Sequence, residues 1–103
     1  MTDLEISQQL AVAIGWPAKK VSLNMVAGQC MVNYDRQYWR MFDYRRPDTI
    51  WPIAERYDAF PFFTDTAEWL ARVYDSDTDW MSGDTAAKAV ALAVIKAYEG
   101  AKK

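Results

Sequence analysis

The chain has 103 residues, of which 51% are hydrophobic and 15% aromatic, so it has the length of one small domain and enough apolar surface to form a core. This composition argues against a disordered chain, and a net charge of −2 by itself favours neither a polyanion-binding protein nor an acidic mimic of nucleic acid. A lone cysteine, an N-terminus without a secretory pattern and the absence of a membrane-length apolar run predict a cytoplasmic protein with no membrane partner.

The first predicted element is an N-terminal helix. Thr2 followed by Glu5 has the spacing of a capping box, in which two free backbone N–H groups of the first turn are satisfied. Apolar residues then recur every fourth position and form one stripe: Ile6, Leu10 and Ile14. Gly15 and the following Trp16-Pro17 are expected to end the helix, because proline cannot continue it.

A β-hairpin is predicted next. Residues 29–34 and 38–42 are rich in β-branched, aromatic and Met side chains, and the polar residues 35–37 between them form the turn. In an extended second strand, residues of one parity would project from one face of the sheet. They alternate between arginine and aromatic types: Arg36, Tyr38, Arg40, Phe42 and Tyr44.

A second, shorter helix is predicted after Pro47, which breaks the strand. Asp48 is its expected cap, and Pro52 would lie in the first turn, where its missing N–H breaks no hydrogen bond. The apolar positions of this segment recur at helical spacing: Ile50, Ile53, Ala54 and Tyr57.

The last third of the chain predicts a strand, a loop and a helix. Residues 68–74 have strand composition, residues 75–83 are rich in turn formers, and Asp84 is the expected cap of a helix over residues 85–99 that ends at Gly100. On this helix Leu92 falls among charged residues, which makes it a candidate exposed contact for a partner. The order α-β-β-α-β-α predicts a single α+β domain over residues 1–103, with a small, mainly antiparallel sheet of about three strands packed with helices like a sandwich.

Five segments carry a resemblance to a known group: LEISQQLAVAIG at the N-terminus, FDY with its proline-containing turn, Trp51-Pro52-Ile53, W-x-A at residues 69–71, and AAKAVALAVIKA. In these segments, which span nearly the whole chain, the sequence resembles small bacteriophage and prophage proteins of unknown function, described as a phage α-β-α sandwich domain and related to NinX-like proteins. The resemblance implies a compact sandwich domain of phage origin and supplies no catalytic residue. Residues 16–28 and 75–79 match no pattern of the group.

The distribution of charge along the chain is typical of solvated loops, or else it orients a partner. Residues 19–46 hold six basic and two acidic residues, a net charge of +4, whereas residues 58–84 hold one basic and seven acidic residues, a net charge of −6. The alternating row on the second hairpin strand has three interpretations: a side packed beneath a helix, a protein-binding patch, or a platform that stacks bases. The candidate partner-binding residues are Arg36, Tyr38, Arg40, Phe42, Tyr44, Arg45, Arg46 and Leu92.

Catalytic and metal sites are not predicted. Without a histidine the commonest general base is missing, and Cys30 lies in a predicted strand as a small core residue. Asp75, Asp77 and Asp79 begin like a calcium loop, but Trp80 stands where that loop requires glycine. We therefore expect no cofactor and no enzymatic activity.

These observations together predict a non-enzymatic accessory protein that binds a host or phage protein, for example as an inhibitor of host defence. The alternative is a nucleic-acid-binding accessory protein that uses the arginine and aromatic face of the hairpin. The composition also permits a homodimer.

Overall fold

The computed structural model describes residues 1–74 and 76–101. Its helices are α1 (Asp3–Ala13), α2 (Pro47–Arg56) and α3 (Ala86–Ala101), with a turn of 3₁₀ helix at Ala18–Lys20. Its strands are β1 (Val21–Asn24), β2 (Gln29–Asp35), β3 (Tyr38–Met41), β4 (Phe62–Phe63), β5 (Trp69–Ala71) and β6 (Met81–Gly83). No helix of the described chain is long and apolar enough to span a bilayer.

The strands form two antiparallel sheets, which confirms the predicted α+β class. Sheet A has the order β1-β2-β3 and contains the predicted hairpin. Sheet B has the order β4-β5-β6, and its central strand β5 is the predicted third strand. Strand β6 lies at the end of the segment that we expected to be a loop, because pairing with β5 keeps residues 81–83 extended.

The helices join the two sheets through one apolar core. Helix α1 packs against sheet A, α3 packs against sheet B, and α1, α2 and α3 form helix–helix contacts centred on α3. The largest fully buried side chains of this core are Tyr44, Ile6, Leu10, Ile50, Val32, Val90 and Val94. Each sheet therefore has one side turned toward the helices and the core.

Helix α1 begins and ends as predicted. Both hydrogen bonds of the capping box form: the backbone N–H of Glu5 donates to Thr2 Oγ1 at 3.2 Å, and Glu5 Oε1 accepts from the backbone N–H of Thr2 at 3.4 Å. Gly15 follows the helix with a φ of +116°, a conformation that glycine adopts without strain. Ile6 and Leu10 are fully buried, so the predicted stripe faces the core.

Helix α2 begins earlier than predicted. Arg46, and not Asp48, is the N-terminal cap, and Pro47 occupies the first turn, where its fixed φ suits the helix. Pro52 consequently lies inside the helix and not in the first turn. Its missing N–H leaves the carbonyl of Asp48 without its usual helical donor, and because both residues are exposed, water can satisfy that carbonyl.

Helix α3 differs from its prediction at both ends and at Leu92. Thr85 Oγ1 accepts the backbone N–H of Lys88 at 3.1 Å and caps the helix, whereas Asp84 forms an ion pair with Lys88 Nζ at 3.8 Å. Gly100 lies within the helix and does not end it. Leu92 is half buried and packs against the core, so it is not the exposed contact that we expected.

Sheet B lies close to α3 because of one glycine. A Cβ atom at Gly83 would lie 2.8 Å from the backbone nitrogen of Ala89 and 3.1 Å from Lys88 Cβ. Only a residue without a side chain permits this approach of β6 to the first turns of α3. The position of sheet B against the core therefore depends on Gly83.

Candidate functional site

The predicted row of arginine and aromatic side chains does not form one face of a sheet. Phe42 and Tyr44 are only 6% and 2% exposed and belong to the core, whereas Tyr38 and Arg40 are exposed and Arg36 lies in the hairpin turn. Strand β3 covers only Tyr38–Met41, so Arg36 and Tyr44 fall outside it. Arg40 pairs with the buried Val32, and the Phe42 N–H donates to the Cys30 carbonyl at 2.8 Å, so these two share the core side of sheet A. That side is covered at Phe42 and open to solvent at the hairpin end.

Tyr44 fixes this turn to α1. Its hydroxyl donates to Asp3 Oδ1 at 2.5 Å, and its backbone N–H donates to the buried Ser7 Oγ at 3.1 Å. Burial, and then the hydrogen bond with Asp3, raise the pKa of Tyr44 above its usual value. The ring is therefore a neutral, hydrogen-bonded part of the core, and this side chain has no surface for a partner.

The two arginines after Tyr44 have carboxylate partners within the chain. Arg45 donates to Asp43 from Nε at 3.0 Å and from Nη2 at 2.9 Å, and its Nη1 lies 3.4 Å from Asp3 Oδ2. Hydrogen bonds from Arg45 hold the pKa of Asp43 below its usual range. Arg46 forms an ion pair with Asp48 at 3.2 Å. Both guanidinium groups are exposed, but neither carries uncompensated charge.

A small cleft adjoins this network. It has a volume of about 340 Å³, and its lining includes Ser7, Cys30, Asp43 and Arg45. Burial, with a smaller contribution from the charge of Asp43, raises the pKa of the Cys30 thiol to about 11, so this group is a poor nucleophile near neutral pH. Arg45 hydrogen-bonds both to Asp43, which follows β3, and to Asp3 of α1. The charged groups that line the cleft therefore hold these two segments together.

The exposed end of the hairpin carries a hairpin cluster, which we define as Tyr34, Tyr38 and Arg40. The guanidinium carbon of Arg40 lies 5.8 Å from the centre of the Tyr34 ring, and the two tyrosine rings are 6.3 Å apart. Within the described chain Arg40 forms no ion pair. Among the predicted site residues, Tyr38 and Arg40 are thus the two that meet at an exposed surface, where each of them contacts Tyr34.

A second aromatic surface lies on sheet B. The register aligns Phe62, Leu70 and Ser82, and the alternation of strand side chains extends this side to Arg72 and Trp80. The Phe62 and Trp80 rings meet edge to face with centroids 5.1 Å apart, and the Arg72 guanidinium carbon lies 4.8 Å above the Trp80 ring. We call Phe62, Leu70, Arg72 and Trp80 the sheet-B surface.

The sheet-B surface faces solvent. Phe62 and Trp80 are each 46% exposed. On the other side of the sheet Ala71 is fully buried and Trp69 and Met81 pack against the core, while Phe63, which pairs with Trp69, is 58% exposed. An antiparallel sheet that packs one side on the core usually carries polar residues on the other, so the paired rings of Phe62 and Trp80 are unusual on the solvent side.

The sequence did not reveal the sheet-B surface. No strand was predicted over residues 60–63, and Trp80 was predicted to be part of a loop; only the pairing of β4, β5 and β6 brings their side chains together. The available signal was the phenylalanine pair Phe62-Phe63 before a turn, which has strand composition. Asp75, the first residue of the acidic stretch, lies outside the described residues.

No group of three possible metal-binding side chains comes together in residues 1–74 and 76–101. Comparisons with protein-family models, with curated proteins and with solved structures find no significant match. The resemblance to phage sandwich proteins therefore stays a prediction, and a functional proposal rests on the exposed surfaces alone.

Proposed function

We propose that this protein is a non-enzymatic protein-binding module and that the sheet-B surface is its binding surface. The observation that carries the proposal is the exposed contact of Phe62, Trp80 and Arg72 on a sheet face away from the core. Contiguous apolar patches on small proteins commonly mark interaction sites. Tryptophan, tyrosine and arginine are the residue types most enriched where binding energy concentrates.

The chemistry of the remaining groups supports binding more than catalysis. The chain has no histidine, and its one thiol is buried with a raised pKa. The carboxylates beside the small cleft, Asp3 and Asp43, are engaged by Tyr44 and Arg45. Both carboxylates thus already have partners within the chain, and the buried thiol is a poor nucleophile near neutral pH.

The partner in this proposal is a host or phage protein in the host cytoplasm. This assignment rests on the resemblance to phage sandwich proteins, and inhibition of a host defence protein is one role that such a module can perform. A flat face with two aromatic anchors suits a folded partner or an extended segment of one.

Quantitative affinity capture from a lysate of the bacterial host tests the proposal. We expect Trp80→Ala and Phe62→Ala to reduce recovery of the captured protein about tenfold or more, since each removes an anchor. Trp51→Ala is the matched control, because Trp51 is a 42% exposed tryptophan on α2, outside the sheet-B surface. Equal recovery with all three variants would contradict the proposal.

Nucleic-acid binding is the second candidate function, and it is favoured by the stacking of Arg40 on Tyr34 beside the exposed Tyr38. An arginine without a carboxylate partner can contact phosphate while the rings stack on bases. Fluorescence anisotropy with single- and double-stranded oligonucleotides at low salt provides the test. Arg40→Ala should weaken binding, whereas Arg45→Ala should not, because Arg45 is already engaged by Asp43. If no oligonucleotide binds, this candidate is wrong.

A further inference from the structure

A further cleft, with a volume of about 440 Å³, lies where β3, the first turns of α2 and the chain after α1 meet, and we call it the α2 cleft. On the core side of sheet A, Phe42 is buried whereas Arg40 is exposed, so the cleft opens where the cover of the sheet ends. Its apolar lining residues come from three separate segments: Ile14, Trp16, Met41, Phe42, Pro52 and Ile53. A cleft of this size is within the range of sites that bind small molecules.

Hydrogen bonds hold the walls of the α2 cleft in place. The backbone N–H groups of Trp16 and Phe42 donate to carbonyls in α1 and β2 at 3.0 and 2.8 Å. Arg56 Nη1 donates to the carbonyl of Ile14 at 3.5 Å and so joins α2 to the end of α1. The walls are therefore fixed parts of the fold, and small-molecule sites are usually preformed in this way.

The charged side chains that line the α2 cleft leave one positive charge uncompensated. Arg46 and Asp48 form an ion pair at 3.2 Å and compensate each other. Arg40 also lines the cleft, and it forms no ion pair within the described chain. A guanidinium group without a carboxylate partner can bind the carboxylate of a ligand through two parallel hydrogen bonds. Apolar walls and one available cation together match a ligand with an apolar body and one negative charge.

We infer that the α2 cleft binds a small apolar carboxylate, an organic acid with an aromatic or aliphatic body. The body packs on the walls around Trp16 and Phe42, and the carboxylate accepts hydrogen bonds from Arg40. A mononucleotide suits the cleft less, because its phosphate carries about two negative charges and its base needs hydrogen-bond partners that apolar walls do not supply. This site is separate from the sheet-B surface, and the inference does not depend on the proposed protein-binding function.

Titration of the whole chain with matched acids and amides, followed by backbone amide NMR shifts, tests this inference. The probes are naphthoate with naphthamide and octanoate with octanamide, and adenosine monophosphate is the nucleotide probe. We expect the better-bound acid to bind about threefold to tenfold more tightly than its amide, because only the acid pairs with Arg40. The shifts should centre on Ile14, Trp16 and Thr49, which line the cleft. The two pairs show whether the cleft prefers an aromatic or an aliphatic body.

Two variants separate the contribution of the charge from that of the walls. Arg40→Gln should weaken binding of the acid about threefold to tenfold and leave binding of the amide unchanged. The matched control is Arg36→Gln, which removes an exposed arginine of the hairpin turn that does not line the cleft, and it should change neither affinity. Trp16→Ala should weaken the acid and the amide alike. Because Arg40 is exposed, Arg40→Gln keeps the test valid even if Trp16→Ala disturbs folding.

Other outcomes overturn the inference in distinguishable ways. The absence of binding by either acid, equal affinity for acid and amide, or equal losses in Arg40→Gln and Arg36→Gln would exclude a carboxylate site at Arg40. Shifts that centre on sheet B would place the ligand elsewhere and overturn it as well. Tighter binding of adenosine monophosphate than of both acids would assign the cleft to the nucleic-acid-binding alternative. In all of these cases, a captured protein that requires Trp80 and Phe62 would leave the proposed function in place.

Discussion

The segment from Phe42 to Arg46 and the sheet-B surface contain the same kinds of side chain in opposite environments. In the first, Phe42 and Tyr44 are buried, and the neighbouring arginines meet carboxylates of the same chain. On the sheet-B surface, Phe62 and Trp80 are about half exposed, and Arg72 lies over the Trp80 ring without an ion pair among the described residues.

The difference shows that aromatic and arginine content does not by itself identify a binding surface. A segment of this composition stabilises the fold when each of its polar groups has a partner inside the molecule. It becomes available for binding when those partners are missing and the rings face solvent. Substitutions in the two regions should therefore differ in their effects on stability and on binding.

The largest expected effect is at Tyr44. Tyr44→Ala should lower the free energy of unfolding by about 3–5 kcal/mol, because it removes a fully buried aromatic ring. Tyr44→Phe is the control that removes only the hydroxyl, and it should cost about 1 kcal/mol, since the half-exposed Asp3 can be hydrated instead. Denaturant unfolding measures both. A loss below 1 kcal/mol for Tyr44→Ala would show that this segment is not part of the stable core.

Gly83→Ala tests how firmly the covered side of sheet B is held. The new methyl group would lie 2.8 Å from the backbone nitrogen of Ala89, so β6 or α3 must move, at a cost of about 1–3 kcal/mol. Ser82→Ala, an exposed change in the same strand, should alter stability by less than about 0.5 kcal/mol. Equal unfolding midpoints for the two variants would contradict the close packing of β6 on α3.

Alkaline pH should destabilise the region around Cys30 and Tyr44. The folded-state pKa of Cys30 is raised to about 11 from an ordinary value of 9.0, so the unfolded chain loses the thiol proton first. Below about pH 9 the Cys30 thiol therefore does not lower the free energy of unfolding. As the pH rises toward 11, the free energy of unfolding falls by about 2 kcal/mol. Unfolding measured at several pH values checks this, and Cys30→Ala should remove the part of the loss that begins near pH 9.

Trp80→Ala should affect stability less than Tyr44→Ala. Because Trp80 is 46% exposed and lies outside the core, we expect a loss of about 2 kcal/mol in the free energy of unfolding. The same variant should show a large loss in the capture experiment. A destabilisation of 3 kcal/mol or more would mean that the sheet-B surface is structural, like Tyr44.

The smallest expected effect has the opposite sign. Ala67, in the turn between β4 and β5, has a φ of +63°, a conformation unfavourable for a residue with a Cβ. Ala67→Gly should raise the free energy of unfolding by about 0.5 kcal/mol, since relief of strain slightly exceeds the added chain entropy. A thermal melt that shows a lower midpoint would indicate that the turn is not strained.

Local sequence patterns were sufficient to predict α1, the β2–β3 hairpin and the body of α3. The Thr2–Glu5 box, the apolar stripe and the β-rich segments each act over a few residues, and the structure contains the elements that they predict. Strands β4 and β6 are only two and three residues long and depend on pairing with β5 and packing on α3. Elements of two or three residues are too short to show a periodic pattern in the sequence.

The candidate site was predictable only in part, for the same reason. The row on the second hairpin strand was open to a buried and to an exposed interpretation, and the structure divides it: Tyr38 and Arg40 are exposed, whereas Phe42 and Tyr44 belong to the core. The sheet-B surface joins residues from three separate segments, so it exists only once the register of sheet B is set. One of those segments, which ends in β6, was predicted to be part of a loop over residues 75–83.

The position of Arg40 has a consequence for the association behaviour of this chain. Strand β3 is an edge of sheet A, and Arg40 pairs with Val32, so it projects from the same side as the core. A foreign strand that added to this edge would crowd the guanidinium group against the new neighbour and remove part of its hydration. Arg40 thus makes the edge a poor template for amyloid-like growth, although half of the chain is hydrophobic.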